Sequence, residues 1–360
     1  MIAMTAGLKS QSSEAARAGS REVADPPKGR RTQSLLAQAD QPVKDSADSS
    51  VEKECQSGRD VGQPGAITPK DYRHLSDGDR SEARTRGESE NMNEPTSEER
   101  MRVLHALADG GFVAPGAEAD ALLRASSEGV GPIEELIAHR LHGKPLAWIT
   151  GSMRFCGVRV HVDPGVFVPR PHTQALARRA VSLLPDVGIA VDLCTGSGAV
   201  AVVLGSAHPA ATVVATDVDP VAVACARRNG VSAFVGNLDE PLSPSLRGRV
   251  DVMTAVVPYV PTEELHLLPR DVLANEPRRA LDGGRRGTTV LVRAAEAAAR
   301  WLRPGGSVLL ELGGDQAGEV ATTLADVGLS EIRVHRDSDG QDRAVEARRP
   351  ASPLRGDGRR

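Results

Sequence analysis

The run Val191-Asp192-Leu193-Cys194-Thr195-Gly196-Ser197-Gly198 passes from apolar residues through an acid to closely spaced small ones. That pattern predicts a buried strand turning sharply into a helix. Glycine lets the backbone approach a ligand there, and the first turn of a helix presents N–H groups without intrahelical partners. Asp217 stands 19 residues after Gly198, at the end of a second apolar run, Val213-Val214-Ala215-Thr216. An acid at that spacing accepts hydrogen bonds from ribose hydroxyls. The first turn also fits a loose GxGxxA dinucleotide pattern, which by itself leaves the nucleoside cofactor open. A third candidate turn, Val256-Val257-Pro258-Tyr259, follows another apolar run.

Alternating strands and helices are needed to hold these turns at one edge. The pattern predicts strands at 189–193, 212–216, 250–255 and 307–312, with helices at 173–184, 199–206, 220–228, 290–301 and 317–327. A last pair of strands is expected at 331–335 and 342–347. This order predicts an α/β fold, a doubly wound parallel sheet whose ligands sit at the carboxyl ends of the strands. Val158, Val160 and Val162 alternate with Arg159 and His161, which predicts one more strand before the sheet.

Upstream, Thr96-Ser97-Glu98-Glu99 fits a capping box that starts a helix, and Gly110-Gly111 stops it. Two further helices at 117–125 and from Pro132 complete a small helical domain, 94–150, followed by the main domain, 151–349. Residues 1–93 are rich in Ser, Gln and charge and are expected to form a disordered leader or an over-extended start; 350–360 reads as a basic tail.

Composition narrows the function. The chain carries a formal charge of −4 and only 2% aromatic residues, four Phe, two Trp and two Tyr. No bulk positive field draws it to nucleic acid or anionic lipid, and stacking platforms for bases are missing. Cys55, Cys156, Cys194 and Cys225 lie far apart, which argues against zinc and against a disulfide framework. The histidines, His161 and His172 among them, are scattered and read as surface residues. With no apolar signal region and no run long enough to span a membrane, a cytoplasmic protein is expected.

Several motifs in order resemble one family. They are Gly143-Lys144-Pro145-Leu146, Val168-Pro169-Arg170-Pro171-His172-Thr173, the glycine turn, Pro258-Tyr259-Val260-Pro261, and the segment from Asn275-Glu276-Pro277 to Asp282-Gly283-Gly284. From Glu134 to Arg348, about 60% of the chain, this resembles the HemK/PrmC family, S-adenosylmethionine-dependent methyltransferases of release-factor glutamine, and more closely its actinobacterial side branch. The resemblance implies a Rossmann-like class I methyltransferase sheet, S-adenosyl-L-methionine as cofactor and a peptide chain release factor as protein partner. It implies cofactor binding by Asp192, Cys194, Thr195, Gly196, Ser197, Gly198, Asp217, Asn237 and Leu238, and a catalytic turn of Val256, Val257, Pro258 and Tyr259.

Five positions depart from the family pattern, the first being Cys194, which takes the place of the loop's first glycine. Its Asn-Pro-Pro-Tyr motif accepts the two amide N–H bonds of glutamine with the Asn side chain and the next carbonyl; here Val256 replaces that Asn and Val257 the first Pro. A valine side chain accepts no hydrogen bond. Asn237 stands where the family has an acid facing adenine, and Gln174 where it commonly has Glu. Three readings follow from these motifs: an N5-glutamine methyltransferase, a non-catalytic S-adenosylmethionine-binding protein that lost turnover with Val256, and an adenine-N6 methyltransferase of nucleic acid. A nicotinamide dehydrogenase ranks last.

Overall fold

A computed structural model describes residues 95–351, apart from the side chain of Arg270. The expected leader and nearly all of the expected tail lie outside these residues.

Helices α1 (Ser97–Asp109), α2 (Pro115–Ser127), α3 (Ile133–Leu141) and α4 (Leu146–Ile149) share one apolar cluster built on Val103, Leu107, Leu122, Ile133 and Leu136. The Thr96 side chain caps α1 by accepting from the Glu99 N–H at 3.1 Å, and Pro115 opens α2, where its missing N–H costs nothing. The period-two run forms β2 (Val158–His161), but not in the main sheet. It pairs with β1 (Ser152–Phe155) in a separate antiparallel hairpin.

The main sheet holds β3 (Ile189–Leu193), β4 (Thr212–Asp217), β5 (Ser232–Val235), β6 (Val250–Ala255), β7 (Leu302–Glu311), β8 (Ser330–Arg336) and β9 (Asp342–Arg348). Their order is β5-β4-β3-β6-β7-β9-β8. The expected parallel arrangement holds for the first five, whereas β9 runs antiparallel to both neighbours. Five residues, 337–341, join β8 to β9. So short a link permits only an antiparallel neighbour, because a parallel return needs a dozen residues or more.

Helices α5 (Thr173–Leu183), α6 (Ala199–Ala207), α7 (Pro220–Arg228), α8 (Arg270–Asn275), α9 (Thr289–Trp301) and α10 (Ala317–Asp326) complete the domain. Side chains alternate across the strands. Val191, Met253 and Leu310 pack toward α9 and α10, while Ala190, Val252 and Leu309 pack toward α5 and α6. Ala294, Ala295, Ala297 and Ala298 are all fully buried in α9. Small residues let that helix lie close to the sheet, which is how a core lean in aromatics reaches native density. The strand order reverses between β3 and β6, opening a crevice at their carboxyl ends. Among the described residues no helix is long and apolar enough to cross a membrane.

Candidate active site

The turn after β3 is shaped by backbone conformation. Cys194, Gly196 and Gly198 have φ of 54°, 57° and 81°. The two glycines do different work. A Cβ on Gly196 would meet open space, leaving the backbone bare toward the crevice; one on Gly198 would press to 3.0 Å from Val231 and 3.1 Å from Ala226. Gly198 is therefore needed for α6 to pack. In the first turn of α6 the Ala201 N–H faces the Asp192 carboxylate from within the domain.

Acids and amides fasten this turn. Asp192 is 1% exposed, and its two carboxylate oxygens accept from the hydroxyls of Thr195 at 2.6 Å and Thr254 at 2.7 Å. Asp192 thus ties the turn to β6, and burial pushes its carboxyl up to about 6. Asp217 accepts from the N–H groups of Gly196 and Asp219, each at 2.9 Å, and burial raises its carboxyl as well. The Ser197 hydroxyl is buried without a hydrogen-bond partner among the described residues. Asn229, which the sequence reading missed, donates to the carbonyls of Ser197 and His161 and accepts from the His161 N–H, all at 2.8 Å. It latches the β1–β2 hairpin onto the turn, so His161 has a structural task. Burial raises the Cys194 thiol, Asp217 and Asp192 raise it further, and the side chain packs against the core as a small apolar group.

After β5, Leu238 has φ of 51° and is buried, and the Asn237 side-chain NH2 donates to Glu240 at 3.2 Å. The Asn237 amide oxygen stays available as an acceptor. Gln174 accepts from the Cys156 N–H at 3.2 Å, fixing the tip of the β1–β2 hairpin.

The turn after β6 is held from outside. Gln316 donates to the Tyr259 carbonyl at 2.6 Å, and Val260 pairs with Leu281 and Gly283 through backbone bonds. A Cβ on Gly283 would come to 2.6 Å from the Pro258 carbonyl, and one on Gly287 would overlap the Tyr259 carbonyl, so both must be glycine. Val257 is buried in the core and Val256 packs beside β2, α5 and α6. Among the described residues no N–H takes the Val257 carbonyl.

The Tyr259 hydroxyl donates to Glu311 at 3.3 Å, and His172 Nε2 lies 3.2 Å from Glu311 and 3.3 Å from that hydroxyl. Burial and the Glu311 charge raise the Tyr259 phenol, which keeps it a donor. His172 is therefore no stray surface residue. No local pattern pointed to Glu311, the last residue of a buried strand. Glu276 is buried, receives Arg170 at 2.7 Å and accepts from the Val168 N–H at 3.2 Å. Two motifs more than a hundred residues apart thus close one lip of the crevice.

No family model matches the chain. The release factor glutamine methyltransferase of Geobacter sulfurreducens is 36% identical over 219 residues, 59% of this chain and 76% of that protein. The one from Bordetella pertussis is 34% identical over 262 residues, 69% of this chain and 93% of that protein. The chain belongs to the release factor glutamine methyltransferase family. A solved structure, the release-factor-specific protein-(glutamine-N5) methyltransferase of Alicyclobacillus acidocaldarius, is 25% identical, with a TM-score of 0.33, over 53% of this chain and 99% of that one. Family membership makes the chain an enzyme and leaves the inert binding protein without support.

Proposed function

We propose that this enzyme transfers a methyl group from S-adenosyl-L-methionine to the side-chain amide nitrogen of a glutamine in a peptide chain release factor. One observation carries the reading. The glycine turn and the Val256–Tyr259 turn end neighbouring strands, β3 and β6, paired in register from Ala190↔Val252 to Leu193↔Ala255. A nucleoside cofactor on the first turn therefore lies next to an amide held by the second.

The residues fit that cofactor. Gly196 faces open space, Ser197 holds a buried hydroxyl without a hydrogen-bond partner among the described residues, and Asp217 has lone pairs beyond those given to Gly196 and Asp219. Asp217 would accept from ribose hydroxyls, the Asn237 amide oxygen from the adenine amino group, and Leu238 would pack against the base, with Asp192, Cys194 and Thr195 shaping the turn. When bound, the cofactor supplies a methyl group on a positively charged sulfur.

An amide nitrogen is a weak nucleophile because its lone pair is delocalised into the carbonyl, so aim supplies most of the rate. The Val257 carbonyl accepts one amide N–H, Pro258 keeps the turn stiff, and Tyr259 walls the slot from a phenol fixed on Glu311. Val256 contributes shape and no hydrogen bond.

The test is labelled methyl transfer to a release factor bearing its target glutamine, with the glutamine-to-alanine substrate as control. Label on the first and not on the second is expected. Cofactor binding without transfer to either, or transfer to nucleic acid, would overturn the reading.

A further inference from the structure

Glu311 is 1% exposed. Its Oε1 is engaged by Tyr259 and His172, while its Oε2 is buried with no hydrogen-bond partner among the described residues. Folded proteins rarely leave a buried carboxylate oxygen bare, and a site that a ligand completes is one place where they do. Its position says which ligand. Ala255 of β6 pairs with Leu310 of β7, so Val256 and Glu311 are the next residues on adjacent parallel strands. Side chains alternate along a strand. Val252, Val256 and Leu309 pack toward one cluster, and Glu311, two residues beyond Leu309, falls on that same face.

We infer that Glu311 supplies the acceptor that Val256 lacks: Oε2 takes one N–H of the substrate amide while the Val257 carbonyl takes the other. This deepens the proposed function and rests on it. It also assigns specificity. A glutamine NH2 offers two donors to two acceptors, whereas a glutamate carboxylate at that place offers none and is repelled by Glu311. Tyr259 and His172 then act as positioning residues that hold Oε1 and so orient Oε2.

The experiment is a double-mutant cycle on the full chain: the parent, Glu311→Leu, Val256→Asn, and the two together, with Glu311→Gln as the variant that keeps one acceptor and the volume. Two readouts are taken, calorimetric affinity for the release factor and labelled methyl transfer. Glu311→Leu is expected to cut both roughly 10- to 100-fold in the parent and to abolish preference for the glutamine substrate over its glutamate variant. In the Val256→Asn background the loss shrinks to roughly threefold or less, because Asn restores the second acceptor. Glu311→Gln falls between, and decides the matter where Glu311→Leu does not fold. A merely structural Glu311 would lose equally in both backgrounds, and that result overturns the inference alone. If the parent neither binds nor methylates the release factor, the proposed function falls and this inference with it.

Discussion

The turns after β3 and β6 meet in one crevice and are built by different rules. The first is shaped by its own backbone: three residues with positive φ and acids that hold amides in place. The second opens on two apolar side chains, Val256 and Val257. The shape of that turn is set from elsewhere, by Gln316, Gly283 and Gly287. A change of side chain at Val256 therefore leaves the path of the second turn intact, and under the proposed function it changes what the turn can accept. The first turn tolerates little change because its residues make its shape. The second can be altered chemically with the fold unharmed.

Four measurements sharpen or break that contrast. The largest effect belongs to the lip. Arg170→Ala leaves the buried Glu276 without its cation and should cost about 3–5 kcal/mol in urea unfolding; a loss under about 1 kcal/mol would show that the lip is held by other contacts. Next comes Asp192 beneath the first turn, with its carboxyl at about 6. From pH about 4, where the unfolded chain releases this proton, to pH about 6, the folded protein still holds it. Stability should therefore fall as pH rises through that window, by up to about 3 kcal/mol, and level off above it. Asp192→Asn should flatten this slope, and an unchanged slope would assign it to another group.

Val256→Asn should restore methyl transfer roughly 5- to 150-fold in the Glu311→Leu background, the worth of about 1–3 kcal/mol for one buried donor satisfied, and change the parent little, with cofactor affinity unchanged. A change in cofactor affinity would mean that the two turns are not independent. The smallest effect is expected from Asp217→Asn, which removes one acceptor from the first turn. Calorimetry should give cofactor binding weaker by about 1 kcal/mol, roughly fivefold, with no change in glutamine preference.

Much of this could be read from the residues in order. Strand 189–193, the glycine turn, Asp217 and helix 220–228 were legible because hydrophobic period and turn chemistry are local. The strand at 158–162 was legible as a strand and not as a hairpin outside the sheet, since pairing partners are chosen in three dimensions. The antiparallel β9 followed from a five-residue link whose meaning depends on where β8 lies.

The sequence by itself determined the class of fold and the family, because each rests on residue type and spacing along the chain. Only the tertiary structure decided that Asp192 fastens the turn from below, that Asn229 joins the hairpin to it, that Arg170 meets Glu276, and that Glu311 stands beside Val256 with an oxygen to spare. These contacts join residues far apart in the chain, and a buried polar group's partner is set by packing and exclusion of water, which no local pattern records.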